Sequence, residues 1–124
     1  MHLKAPVPIL RIFDEAKAGE LYVGFLGFKI DWEHRFGENF PIYLQASRDG
    51  CVLHLSEHHG DGCPGATLRV EMTGLDDFCK SLQAKNYKPG FPAKETEWGT
   101  RELCVPDPFG NKLIFFEPKP ATPA

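Results

Sequence analysis

No apolar run in this chain approaches the roughly 20 residues a membrane-crossing helix needs. The opening Met1-His2-Leu3-Lys4 begins no signal-peptide apolar segment. A basic excess is missing as well: 14 Lys and Arg face 17 Asp and Glu, leaving a net charge of −3 and no electrostatic footprint for nucleic acid. The four cysteines, Cys51, Cys63, Cys79 and Cys104, form no CxxC pair, so they read as free thiols of a reducing cytoplasm. Gly60, Gly62 and Gly65 lack the strand-to-helix pattern of a phosphate loop. What is present is an ordinary globular composition, 42% hydrophobic and 25% charged. Its 124 residues fit one domain, 1–124, that can build a core without disulfides or a structural metal.

Periodicity divides that domain into two similar halves. Residues 7–13 alternate as a strand, with Leu10 and Ile12 on one face and Ile9 and Arg11 on the other. Asp14 is a helix N-cap; Ala18, Leu21, Tyr22, Phe25 and Leu26 then recur at helical spacing until Gly27. Strands follow over 28–33, 41–47 and 51–56, the last two joined at Arg48-Asp49-Gly50. After a polar, glycine-rich loop over 57–65 the order repeats. A strand covers 67–72, and a helix over 75–85 carries the stripe Leu75, Phe78, Cys79 and Leu82. A weaker strand or loop spans 87–93, and strands cover 100–105 and 112–117 before a proline-rich tail expected to fray. The expectation is an α+β domain of paired βαβββ modules, about 7–56 and 66–117.

Two short stretches are the most specific. Glu97-Trp98-Gly99-Thr100-Arg101-Glu102-Leu103 and Asp107-Pro108-Phe109-Gly110-Asn111-Lys112-Leu113 read as two strands around a tight turn. The proline fixes φ at the turn start, and Gly110 supplies a positive φ. With Phe13-Asp14, Tyr22, Phe25-Leu26-Gly27-Phe28 and Leu75-Asp76-Asp77-Phe78, their order and spacing resemble the glyoxalase, bleomycin-resistance and extradiol-dioxygenase (vicinal oxygen chelate) superfamily. The resemblance covers nearly the whole chain and implies cupped mixed sheets in the glyoxalase/bleomycin-resistance fold. Metal-dependent relatives draw His, Gln or Glu ligands from positions that fall here at or next to Val7, His54, Thr67 and Ile114. Only His54 is a good donor among them, so no metal or other cofactor is expected. The resemblance then points to the bleomycin-resistance branch: homodimers that sequester a drug at the subunit interface without altering it. The alternative is a metal-dependent lyase, isomerase or dioxygenase with a non-standard metal site; a third reading is a scaffold protein whose groove is unused.

Strand alternation puts Tyr43, Gln45, His54, Arg69, Glu71 and Glu102 on the sheet faces away from the helices, together with Val7, Ile9, Val52, Ile114 and Phe116. Two facing sheets would bury these residues around a ligand groove, whereas on the plain reading the charges pair across strands. Candidate ligand contacts are Trp32, Tyr43, Trp98 and Phe109 for stacking, Glu71 and Glu102 as charge partners, and His54. The two tryptophans and Phe109 rest on the resemblance and on their places beside loops, and Phe36 and Phe40 are further aromatic candidates for more than core packing. The acidic balance suits a cationic bleomycin-type glycopeptide. His54, His58, His59, Glu57 and Asp61 are the only ligand-rich cluster, at no regular metal spacing, and solvated loop histidines are its plainer reading. Cys51 and Cys104 read as small buried hydrophobes rather than nucleophiles.

Overall fold

In the computed structural model, which describes residues 1–85 and 93–119, the chain runs through two βαβββ series. The first comprises β1 (Ile9–Arg11), α1 (Glu15–Ala18) continuing as a π-helical segment (Gly19–Phe25), β2 (Lys29–His34), β3 (Tyr43–Arg48) and β4 (Cys51–Ser56). The second comprises β5 (Thr67–Glu71), α2 (Leu75–Gln83), β6 (Lys94–Glu95), β7 (Thr100–Pro106) and β8 (Lys112–Pro118). Each series forms a four-stranded mixed sheet, in the orders β1-β4-β3-β2 and β5-β8-β7-β6. The first strand of each series pairs parallel to the last, and the other pairings are antiparallel. The α+β architecture of paired modules is therefore as expected. Contacts group residues 1–66 with 107–111 in one compact unit and 67–106 with 112 onward in a second.

In the first unit Leu10 and Ile12 of the β1 segment are buried as their alternation implies, together with Leu44 and Ala46 of β3 and Leu53 and Leu55 of β4. Leu21, Tyr22, Phe25 and Leu26 of the helical segment are buried with them. Asp14 caps the helix by accepting from the Lys17 N–H at 2.9 Å. Beyond Ala18 the winding differs from the α-helix expected: the Leu26 N–H donates to the Leu21 carbonyl at 2.8 Å, five residues back. Apolar spacing does not separate the two windings, and Gly19 and Gly24 each weaken the α form by about 1 kcal/mol relative to alanine. The β3–β4 hairpin turns on Asp49 and Gly50, with φ of 51° and 83°, the pair of positive values that a two-residue hairpin favours.

In the second unit α2 buries the predicted stripe of Leu75, Phe78, Cys79 and Leu82. Leu103, Val105, Leu113 and Phe115 are buried as well, and Phe78 meets Phe115 edge-on at 5.1 Å. Leu68 and Val70 of edge strand β5 are only half-buried. The α2 N-terminus has no cap from its own sequence; the Glu117 carboxylate accepts from the Gly74 N–H at 2.8 Å instead. The strand found near the weak 87–93 segment is Lys94–Glu95; residues 87–92, like the tail from 120, lie outside the described residues.

The Asp-Pro-Phe-Gly-Asn turn is a buried polar hub of the first unit. Asp107 accepts from the N–H groups of Phe109 and Asn111 at 2.8 and 2.9 Å, closing the turn. Its second oxygen accepts from the Tyr22 hydroxyl at 2.7 Å and the Asn111 amide at 2.8 Å. That amide also donates to the Arg11 carbonyl at 2.8 Å, so the turn is tied to both β1 and the helical segment. Burial, and then the Asp107 charge, push the Tyr22 phenol far above its ordinary pKa and keep it a donor.

Candidate functional site

The polar face of the first sheet is set by an irregularity in β2. Ile30 stands opposite Ala46, but Trp32, not Asp31, stands opposite Gln45. The extra residue flips the alternation, so Trp32 leaves the side of buried Ala46 and joins the face of Gln45 and His54. His34 then pairs with Tyr43. Two cross-strand rows result, Trp32–Gln45–His54 and His34–Tyr43–Ser56.

A hydrogen-bonded chain fixes this face. Gln45 donates from its amide nitrogen to Asp31 at 3.0 Å, so its oxygen is turned toward His54 Nε2, also at 3.0 Å. Nε2 therefore carries the proton and Nδ1 is an acceptor, which the Tyr43 hydroxyl reaches at 2.7 Å. Hydrogen bonds from Gln45 and then Ser47 hold the Asp31 carboxyl below its usual pKa, and burial raises the Tyr43 phenol. Above this chain the Trp32 and Tyr43 rings lie nearly parallel, 9° apart with centroids 6.0 Å apart, and His54 is edge-on to both.

The loop after β4 supplies the other wall. Buried Ser56 donates to Asp61 at 3.0 Å and accepts from the His58 N–H at 3.0 Å. Gly62 lets the loop close: its φ is 70°, and a Cβ there would lie 2.8 Å from the Ile9 carbonyl oxygen. His58 is thereby set near Phe36 and Tyr43, with ring centroids 6.1 and 6.4 Å away. Trp32, His34, Phe36, Tyr43, His58 and Asp61 line an open cavity of about 320 Å³. His34 was missed as a candidate, whereas Phe36 was among the aromatic candidates. The signal for His34 is spacing: Trp32, His34 and Phe36 recur every second residue on an edge strand and beyond it.

The other sequence candidates lie elsewhere. Phe109 packs against Phe13, centroids 6.2 Å apart, with the Arg11 guanidinium over the Phe13 ring. On the second unit Glu102 receives two hydrogen bonds from Arg69, one from the Trp98 indole and one from Thr100. These bonds, led by Arg69, hold its carboxyl near a pKa of about 2. Glu102 is thus already neutralised across the strands, the plainer reading of that charge. Trp98 is 69% exposed, and Arg69 lies 4.4 Å from the centre of the Phe116 ring. Glu71 is exposed and forms no ion pair among the described residues.

Val7 and Ile9, expected to be covered, are 42% and 40% exposed. β1 is a three-residue edge strand, so its outer side chains have a neighbouring strand on one side only. The residues at the relatives' metal positions do not fit a cation. Val7 and Ile114 carry no donor atom, Thr67 is exposed at the start of β5, and both nitrogens of His54 are engaged. Cys51 is half-buried and burial raises its thiol pKa, whereas Cys104, expected to be buried, is exposed. Among the described residues no three His, Cys, Asp or Glu side chains are grouped to hold a metal, and no helix is long and apolar enough to cross a membrane.

Comparison with known proteins adds context. The family described as "Glyoxalase superfamily protein" matches residues 1–121. Among solved structures, the chain is similar to the bleomycin-binding protein of bleomycin-producing Streptomyces verticillus, solved with copper(II)-bleomycin. The TM-score is 0.68 at 26% identity, over 93% of this chain and 96% of that one. It is similar to TnmS3, an antibiotic binding protein from Streptomyces sp. CB03234, with TM-score 0.66 and 23% identity over 96% and 100% of the two chains. A glyoxalase-related enzyme from Clostridium phytofermentans has TM-score 0.72 and 19% identity over 95% and 97%. No curated protein matches the sequence.

Proposed function

Because the chain belongs to the glyoxalase superfamily, we propose that it is a binding member of that family. It sequesters a bulky, partly planar, cationic small molecule of the bleomycin type without altering it, and so confers resistance to the drug. It acts as a homodimer in the cytoplasm. The observation that carries this reading is the aromatic cavity of the first unit, where Trp32 and Tyr43 present stacked rings beside Phe36 and two imidazoles. Aromatic walls with few polar groups suit a ligand held by stacking. The net charge of −3 and the Asp61 carboxylate favour a cation. The lack of donors at positions 7 and 114 supports binding over metal-assisted turnover.

The test is titration with a bleomycin-type drug, metal-free and copper-loaded, followed by tryptophan fluorescence and calorimetry. A stacking ring contributes about 0.5–1.5 kcal/mol beyond its buried area, so Trp32→Ala weakens the drug severalfold and Trp98→Ala weakens it less. If Trp32→Ala binds as the parent does, the cavity is the wrong site. One tightly held divalent ion per chain, with turnover of a glyoxalase or dioxygenase substrate, would establish the enzyme reading instead.

A further inference from the structure

Resting on the binding role proposed above, we propose that the cavity lined by Trp32, His34, Phe36, Tyr43, His58 and Asp61 is an onium subsite: it receives an alkylated, permanently charged cationic group of the ligand, such as a quaternary ammonium. Five of its six lining residues carry rings and the sixth is a carboxylate; no lysine or arginine lines it. Ring faces attract a cation through their quadrupole, and the effect grows as the cation sheds water.

The acidic group is fixed in place. Asp61 accepts from Ser56, which is fully buried, through one oxygen at 3.0 Å. Its other oxygen accepts no hydrogen bond from any described residue, and Asp61 joins no ion pair among them. The cavity therefore holds one carboxylate among five rings, two of them imidazoles. A primary ammonium carries three N–H donors and would need three acceptors on entering. Here Tyr43 and its partner His54 are already bonded to each other, so the acceptors left are the Asp61 carboxylate and one ring nitrogen each of His34 and His58, whose rings stand edge-on to Phe36. An alkylated cation has no N–H to satisfy and loses less than a primary ammonium on leaving water for ring faces. The same geometry discriminates against a neutral group of equal shape, which would gain the apolar contacts but neither the ring quadrupoles nor the carboxylate.

The chain has two tryptophans, so Trp98→Phe leaves Trp32 as the sole indole reporter inside the cavity. In that background the probes are choline, its uncharged carbon isostere dimethylbutanol, and ethanolamine, each followed by indole emission. Choline is expected to perturb Trp32 with at least about fivefold higher affinity than either comparison compound. Asp61→Asn keeps an acceptor for Ser56, and it is expected to weaken choline about threefold or more while leaving the isostere unchanged. Equal binding of choline and the isostere, or no response to choline, overturns the proposal. A parallel drug titration of the parent chain, with Trp98 in place, separates the two readings. A drug that binds while choline neither binds nor competes removes the onium subsite and keeps the binding role. Choline that binds while the drug does not keeps the subsite and removes the drug.

Discussion

Glu102 shows how a single residue changes meaning between a sequence and a fold. Alternation puts its carboxylate on the face where a cationic ligand was expected, but Arg69 lies on the same face and takes it at 2.7 Å. Trp98 and Thr100 bond the same oxygen. A sequence gives the face of a charge but not whether another strand brings a partner to it. The lowered pKa gives a pH signature. Folded Glu102 titrates near a pKa of about 2, against an ordinary value of 4.5. Its contribution to stability is complete above the unfolded value, shrinks as pH falls below about 4.5, and is gone below about 2. The difference in urea midpoint between parent and Glu102→Gln should hold from neutral pH to about 5 and close toward pH 2. A difference that stays constant over that range would show that Glu102 stabilises the fold by packing rather than by charge.

Among the elements, those specified by local chemistry were legible and those specified by register were not. The stripe of α2 and the Asp49-Gly50 turn follow from spacing and from residues that tolerate positive φ. The bulge at Asp31 depends on how β2 meets β3, and nothing in the alternation of residues 28–33 marks it. It decides the candidate site, because without it Trp32 would share the face of Ile30 and the cavity would lose a wall. The second turn, Asp107 to Asn111, was legible as a reversal but not as a hub: Tyr22 is 85 residues away in sequence. Asp107→Ala leaves the Tyr22 hydroxyl, two backbone N–H groups and the Asn111 amide short of an acceptor. Losses to a charged partner run about 1.5–3 kcal/mol each and are not additive, so a destabilisation of about 3 kcal/mol or more is expected. Tyr22→Phe removes one donor and should cost about 1–2 kcal/mol. Urea unfolding of both variants checks the order; an Asp107→Ala cost no larger than that of Tyr22→Phe would mean the turn does not organise its surroundings.

For the molecule as a whole, the two-module plan was readable from repeated element order, but the number of chains in the working protein has to be argued from surfaces. β1 ends the first sheet as a three-residue edge strand. Beside it Val7, Ile9 and Phe13 are 42%, 40% and 54% exposed. At the opposite edge Ile30, Phe36 and Phe40 are also exposed. Soluble chains cover large apolar side chains grouped at a sheet edge, and a second copy, related by a two-fold axis, does so with no other partner. Light scattering at micromolar concentration should therefore give about twice the chain mass of 13.9 kDa. Val7→Lys with Ile9→Lys should shift the mass toward one chain at the same concentration, since paired like charges would face each other across the axis. Because Trp32 and Tyr43 are packed within one unit, a monomeric variant should still show the stacked pair in its near-ultraviolet circular dichroism. A parent protein that scatters as one chain at that concentration would remove the homodimer from the proposed function, and the drug titration would then be analysed per chain.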